Sequence, residues 1–167
     1  MIDYNNLSSY LSRFITGDVI GAFAFWSLLV FVFRKQLSKW LKLPNFKAIV
    51  VGITFAAIFA TTLRIWGSNG FDPVPWFLNF YRWKHSLDIG VNWLLNVALF
   101  IPAGAMLTYY GKRTTIALAS LVVTSAGIEL IQQYTKWGVS DAADFVANTA
   151  GAAIGVAIGL TLKLVKR

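Results

Sequence analysis

The sequence contains no cysteine. A disulfide framework, a thiolate metal site and a cysteine nucleophile are therefore excluded. Histidine is nearly as scarce: His85, the single one, has no second imidazole with which to hold zinc, sits in no nucleophile motif, and reads as an interfacial residue beside Lys84. HExxH, GxSxG and a glycine-rich phosphate loop are all missing. Charged residues make up 13% of the chain, and only 7 residues are acidic. The formal charge of +8 does not point to nucleic acid, because the basic residues flank apolar runs instead of forming one solvated surface. Internal repeats, low-complexity segments and a soluble appendage are not evident.

What is abundant is apolar surface: 57% of the 167 residues are hydrophobic. A bilayer core of about 30 Å takes roughly 20 mostly apolar residues as a helix. Five segments meet that length, at about 17–33, 47–66, 87–110, 114–134 and 144–165. The expected fold is all-α, a polytopic integral membrane protein of about five transmembrane helices forming one transmembrane domain over residues 17–167. The first segment is expected to stay in the protein, since Arg34 and Lys35 follow it where a signal peptide has small cleavage-site residues.

Charge sets the expected orientation. With the N-terminus outside and the C-terminus inside, ten Lys and Arg residues face the cytoplasm and five face outward, as the positive-inside rule requires. The acids take no part in that count, yet all seven fall at the outer side or in an outer half-helix. Every carboxylate is therefore expected on the side where an extracytoplasmic ligand would arrive.

Residues 1–16 alternate polar and apolar side chains and are expected to form an interfacial helix. Residues 34–47 mix Leu37, Trp40 and Leu43 with five cations; they read as a topology signal lying against the anionic inner surface. The outer segment 67–86 breaks at Gly67, Gly70, Pro73 and Pro75 and then carries Trp76, Phe77, Phe80, Tyr81 and Trp83. It is either an aromatic belt at the interface or a cap over a cleft.

Polar groups within a bilayer are expensive and mark the places where function is to be sought. On the third segment Asp88, Asn92 and Asn96 stack along one face at four-residue spacing, Asn96 lying roughly 12 Å deeper than Asp88. On the fourth, Glu129, Gln132 and Gln133 occupy the last two outer turns, with Ser125 one turn below Glu129. On the fifth, Asp144 and Asn148 are again four apart, with Asp141 one turn earlier. Antiparallel helices bring these groups to one depth, so they are expected to converge on a cleft open to the outside. Asn92, Asn96 and Asn148 also serve as plain interhelical hydrogen-bonding residues, and Asp141 as an N-cap. Glu129, roughly 7 to 9 Å below the outer end, must be hydrated, paired or protonated, with Arg64 as its internal partner. Oxygen-rich side chains suit a hard cation, but no fixed ligand spacing is present, so neither a metal nor a cofactor is expected.

Pro102 removes a backbone hydrogen bond in mid-helix and favours a kink, aided by Gly104. Gly151, Gly155 and Gly159 form a doubled GxxxG for close helix packing.

Taken in order, the segments Asn96 to Gly104 (NVALFIPAG), Ile128 to Gln132 (IELIQ), and Asp141, Asp144, Asn148, Thr149 and Gly151 resemble the VanZ-like membrane protein family. Asp72 to Trp76 resembles its proline-aromatic segment more loosely, so the resemblance spans about residues 72–159. The family often has an arginine three residues before the first aspartate of the last motif; here Gly138 stands there, and Lys136 or Arg64 is the available replacement. The resemblance implies a function in the bacterial cell envelope and reduced susceptibility to glycopeptide antibiotics of the teicoplanin type.

Three functions fit these residues. The first is binding or modification of a surface or lipid-linked ligand in the outer cleft. The second is an enzyme acting on a lipid-linked cell-wall precursor or headgroup, with Glu129 or Asp144 as general acid or base. The third, proton-coupled transport along Asp88, Glu129 and Asp144, ranks lower because the inner half-helices lack ionisable residues for a relay. The expected partners are membrane lipids and a cell-wall precursor or glycopeptide.

Overall fold

The computed structural model describes residues 16–63, 74–87, 89–111 and 113–166, with the backbone alone at Phe80 and Arg82. Among these residues the regular structure is entirely helical: α1 (Gly17–Val32), α2 (Arg34–Leu41), α3 (Asn45–Thr62), a 3-10 turn (Trp76–Leu78), α4 (Phe80–Lys84), α5 (Val91–Tyr110), α6 (Thr114–Thr135) and α7 (Ala142–Val165). The expected interfacial helix at 1–16 lies outside the described residues except for Thr16, the extended N-cap of α1.

Four helices, α3, α5, α6 and α7, are each long and apolar enough to cross a membrane. A fifth span exists only if α1 and α2 are taken together, because α1 has 16 residues and the pair bends by 71° at Phe33. Past Val32 the chain turns cationic with Arg34, Lys35, Lys39 and Lys42, and the apolar run does not continue along the α1 axis. α2 instead half-buries Leu37 and Leu41 and exposes Trp40 by 88%. It stops at Lys42, a left-handed residue at φ 54°, where the Leu43 N–H returns to the Ser38 carbonyl at 3.1 Å.

The third segment starts later than the sequence predicts, at Val91 instead of 87, because Gly90 is extended and Ser86 folds back to accept from Trp93 Nε1 at 3.1 Å. Pro102 does not interrupt α5, which runs as one helix from Val91 to Tyr110. The closest packing in the bundle is between α5 and α7. A Cβ on Gly151, Gly155 or Gly159 would run into the carbonyl oxygens of Val97, Ile101 and Ala105, so the two backbones meet at four-residue intervals. Gly104 does the same from the other side, where a Cβ would come within 2.6 Å of the Ala152 carbonyl. Such proximity lets dispersion, and Cα–H contacts with carbonyl oxygens, act along the whole interface.

Around that pair, α6 lies on α7, α3 on α5, and α1 on α3. Gly52 of α3 makes room for Val30 of α1 and Leu37 of α2. The core formed by Ile58, Phe100, Ala103, Leu121, Ile128 and Ala152 is wholly apolar. Apolar side chains such as Val123, Ile20 and Leu160 face outward from the helices, as lipid-facing side chains do. The two ends of the bundle differ: Lys47, Arg113, Lys163 and Lys166 gather at one, and Glu129, Asp141 and Asp144 at the other.

Candidate functional site at the acidic end

The turn from α6 to α7 is built around two carboxylates. Glu129, 1% exposed, accepts the backbone N–H of Asp141 on Oε2 at 2.7 Å. Asp141 in turn accepts the Ala143 N–H on Oδ1 at 3.0 Å and so caps α7. Two N–H groups at the start of a helix, which have no partner within it, are thereby satisfied by carboxyl oxygens. Gln132 fixes the same turn from the side, donating through Nε2 to the Thr62 carbonyl at 2.8 Å and tying α6 to the end of α3. The chain needs a glycine at 138: φ is +152°, and a Cβ there would come within 2.5 Å of Gln132 Nε2.

The second part of the site joins α5 to α7. Asn96 donates through Nδ2 to Asp144 Oδ1 at 2.6 Å, and Asn92 reaches the same oxygen at 3.4 Å. Asp144 is half-buried and Asn92 exposed, so the pair forms the accessible edge of the network. One turn deeper, Asn148, 1% exposed, donates through Nδ2 to Ser125 Oγ at 3.1 Å and links α7 to α6. Asn148 Oδ1 and Gln132 Oε1 are buried and have no hydrogen-bond partner among the described residues. Asp144 and Asp141 lie near enough for their charges to act on Glu129.

The structure thus brings together Asn92, Asn96, Glu129, Gln132, Asp141, Asp144 and Asn148, from three helices. Asp88 and Arg64 lie outside the described residues. The cluster is more enclosed than the open cleft expected from sequence: Asn96, Glu129, Gln132 and Asn148 are buried, and Asn92 alone of the seven is exposed. Among the described residues, no group of three His, Asp or Glu side chains is arranged to hold a metal ion.

Over this end folds the aromatic segment. Trp76 is buried against Phe145, their rings 5.1 Å apart, and Trp83 stands 5.7 Å from Trp76 and 6.1 Å from Phe145. The described part of the loop therefore covers the first turn of α7, although Phe77, Leu78 and Tyr81 remain exposed as a membrane belt requires. Phe145, Ser125 and the Thr62 carbonyl carry parts of the site that the polar pattern did not single out as partners. Ser125 was signalled by its position one turn below Glu129; nothing local in the sequence signals the Thr62 carbonyl.

Residues 22–163 match the family model described as VanZ/LLP1. The chain belongs to the VanZ/LLP1 family. The VanZ match begins within α1 and so takes in the first two apolar segments, well ahead of the motifs that carry the resemblance in sequence. Neither the curated proteins nor the solved structures gave a match. In this VanZ protein a side chain at the position where the family often has arginine would be strained by the φ of Gly138 and would have to displace the Gln132 side chain.

Proposed function

We propose that this VanZ-family protein works in the bacterial cell membrane with its acidic end outward, where it binds a surface or lipid-linked ligand and reduces susceptibility to glycopeptide antibiotics of the teicoplanin type. The observation that carries the reading is the convergence of Asn92 and Asn96 on one oxygen of Asp144 at the accessible edge of a buried polar network. Polar groups of this density inside an apolar bundle are costly to maintain for packing alone, since apolar side chains fill the same volume without them. Asp144 is the residue that a ligand's hydroxyl or amide reaches, with Asn92 beside it as an amide donor and acceptor. Glu129 is a positioning residue: it holds the turn that sets Asp141 and Asp144. The outward direction of this end rests on the excess of Lys and Arg at the other one.

Expression in a susceptible bacterial host tests the reading. The protein should raise the minimal inhibitory concentration of teicoplanin severalfold. Asp144→Ala, present in the membrane at the same level, should return it to the value of the empty host. No rise with the unaltered protein, or an equal rise with Asp144→Ala, would count against the assignment.

A further inference from the structure

At the basic end, three helices border an open cavity of about 510 Å³ lined by Lys47, Tyr109, Tyr110, Lys163 and Lys166. Lys47 lies in the first turn of α3, the tyrosines close α5, and the other lysines end α7. Three formal positive charges meet here, and none of the lining side chains is acidic. Part of the repulsion is offset locally. Lys163 Nζ donates to the carbonyls of Gly111 at 2.5 Å and Thr108 at 3.4 Å, where the α5 dipole is negative. Lys47 and Lys166 each stand 5.5 Å from the ring centre of Tyr110 and Tyr109 respectively. Neither contact brings a negative charge. α3 adds to the field, since its N-terminus has no side-chain cap and no acid in its first turn, which leaves backbone N–H groups and a positive dipole end facing the same region.

The surroundings indicate what kind of anion fits. Phe46, 73% exposed, adjoins Lys47, and Val165, 82% exposed, adjoins Lys166, so the cations are flanked by side chains that belong in lipid. A second cavity of about 630 Å³ shares Tyr110 with the first and runs from Arg113 past Leu107 and Ile116 to Ser120. That path follows α6 inward for about 10 Å and is largely apolar. A phosphate with hydrocarbon attached matches both halves.

We propose that the Lys47, Lys163 and Lys166 cavity binds the phosphate of an anionic membrane lipid, whose acyl chain lies along the adjoining groove beside Tyr110. Lys163 is held by the α5 carbonyls, so it presents its charge at a fixed place. Lys47 and Lys166 supply point charges from either side, and the tyrosine hydroxyls supply neutral donors. The site is independent of the acidic end; on the orientation proposed above, the lipid comes from the cytoplasmic leaflet.

The test uses the full chain purified in detergent, with lipid binding followed by native mass spectrometry. Phosphatidylglycerol should bind in preference to phosphatidylcholine, and K47Q/K166Q should weaken it roughly 25-fold, at about fivefold per lysine near a membrane surface, while binding phosphatidylcholine as before. K47R/K166R, which keeps both charges, should retain it and shows that the cavity tolerates substitution there. K35Q/K39Q removes two cations from α2 outside the cavity and should change little. Equal phosphatidylglycerol binding by K47Q/K166Q, or an equal loss with K35Q/K39Q, overturns the site. Displacement of the lipid by millimolar inorganic phosphate overturns the lipid as the source and leaves a soluble phosphate compound in its place.

Discussion

Glu129 shows how far a single carboxylate can be understood from its position in the chain. Its depth in the last apolar turns of a helix demanded a partner; the backbone N–H of Asp141 is one, beside the Ser140 side chain, while Arg64, the cation within reach in the sequence, lies outside the described residues. The bond from Asp141 was not legible, because a main-chain donor twelve residues away leaves no mark in residue identity. Asp141 was legible as a cap, since Asp before an Ala-Ala helix start is a local pattern. The two substitutions at Glu129 should therefore part ways. Glu129→Gln keeps an oxygen acceptor and should leave thermal stability in detergent nearly unchanged. Glu129→Ala strands the Asp141 N–H in a buried turn and should cost about 1–3 kcal/mol, read as a lowered melting temperature. Equal melting temperatures would mean that the turn is held by something else. Gly138 completes the local logic. An arginine at this position would need a φ that side chains avoid and would displace Gln132.

At the level of helices, four of the five apolar spans could be read to within a few residues from run length alone, because the bilayer thickness sets that length. What could not be read was the 71° bend after α1. The run of apolar residues ends there, but run length gives no direction for the chain beyond it. The glycine face of α7 was legible as a packing surface, though not which helix it meets. Glycines differ sharply in what they do. Gly155 faces the Ile101 carbonyl without room for a methyl group, whereas a Cβ at Gly127 meets nothing within 4 Å. Gly155→Ala should therefore force α5 and α7 apart and cost several kcal/mol. Gly127→Ala should be neutral, or stabilising by up to about 1 kcal/mol through helix propensity. Parallel thermal or denaturant unfolding of the two variants in the same detergent checks the contrast. A similar loss from both would remove the argument that close backbone approach sets the α5–α7 contact.

For the whole molecule, the decisive property is the separation of charge between its two ends, which was visible in the sequence once the spans were drawn. The convergence of three helices on one polar cluster was visible too, since four-residue spacings on antiparallel neighbours leave little freedom. Its enclosure was not, because burial depends on how closely the helices and the α6–α7 turn pack around the cluster, which residue spacing does not give. The proposed orientation has a direct check that the absence of cysteine makes clean. A single Val139→Cys, on the exposed α6–α7 turn, should react with a membrane-impermeant maleimide in intact cells, and a single Lys39→Cys should react only after the cells are opened. The reverse pattern would turn the molecule over and place the lysine cavity outside.

The glycine contact between α5 and α7 also constrains the order of events during synthesis. The carbonyls of Val97, Ile101 and Ala105 leave the ribosome some fifty residues before Gly151, Gly155 and Gly159 that cover them. The tightest interface is thus the last to become available, and α3, α5 and α6, three of the four helices long enough to span a bilayer alone, are made before the helix that packs against α5 exists. A chain released before residue 151 would have inserted most of its spans and yet lack the contact that makes them one bundle, which leaves truncated products exposed to membrane quality control.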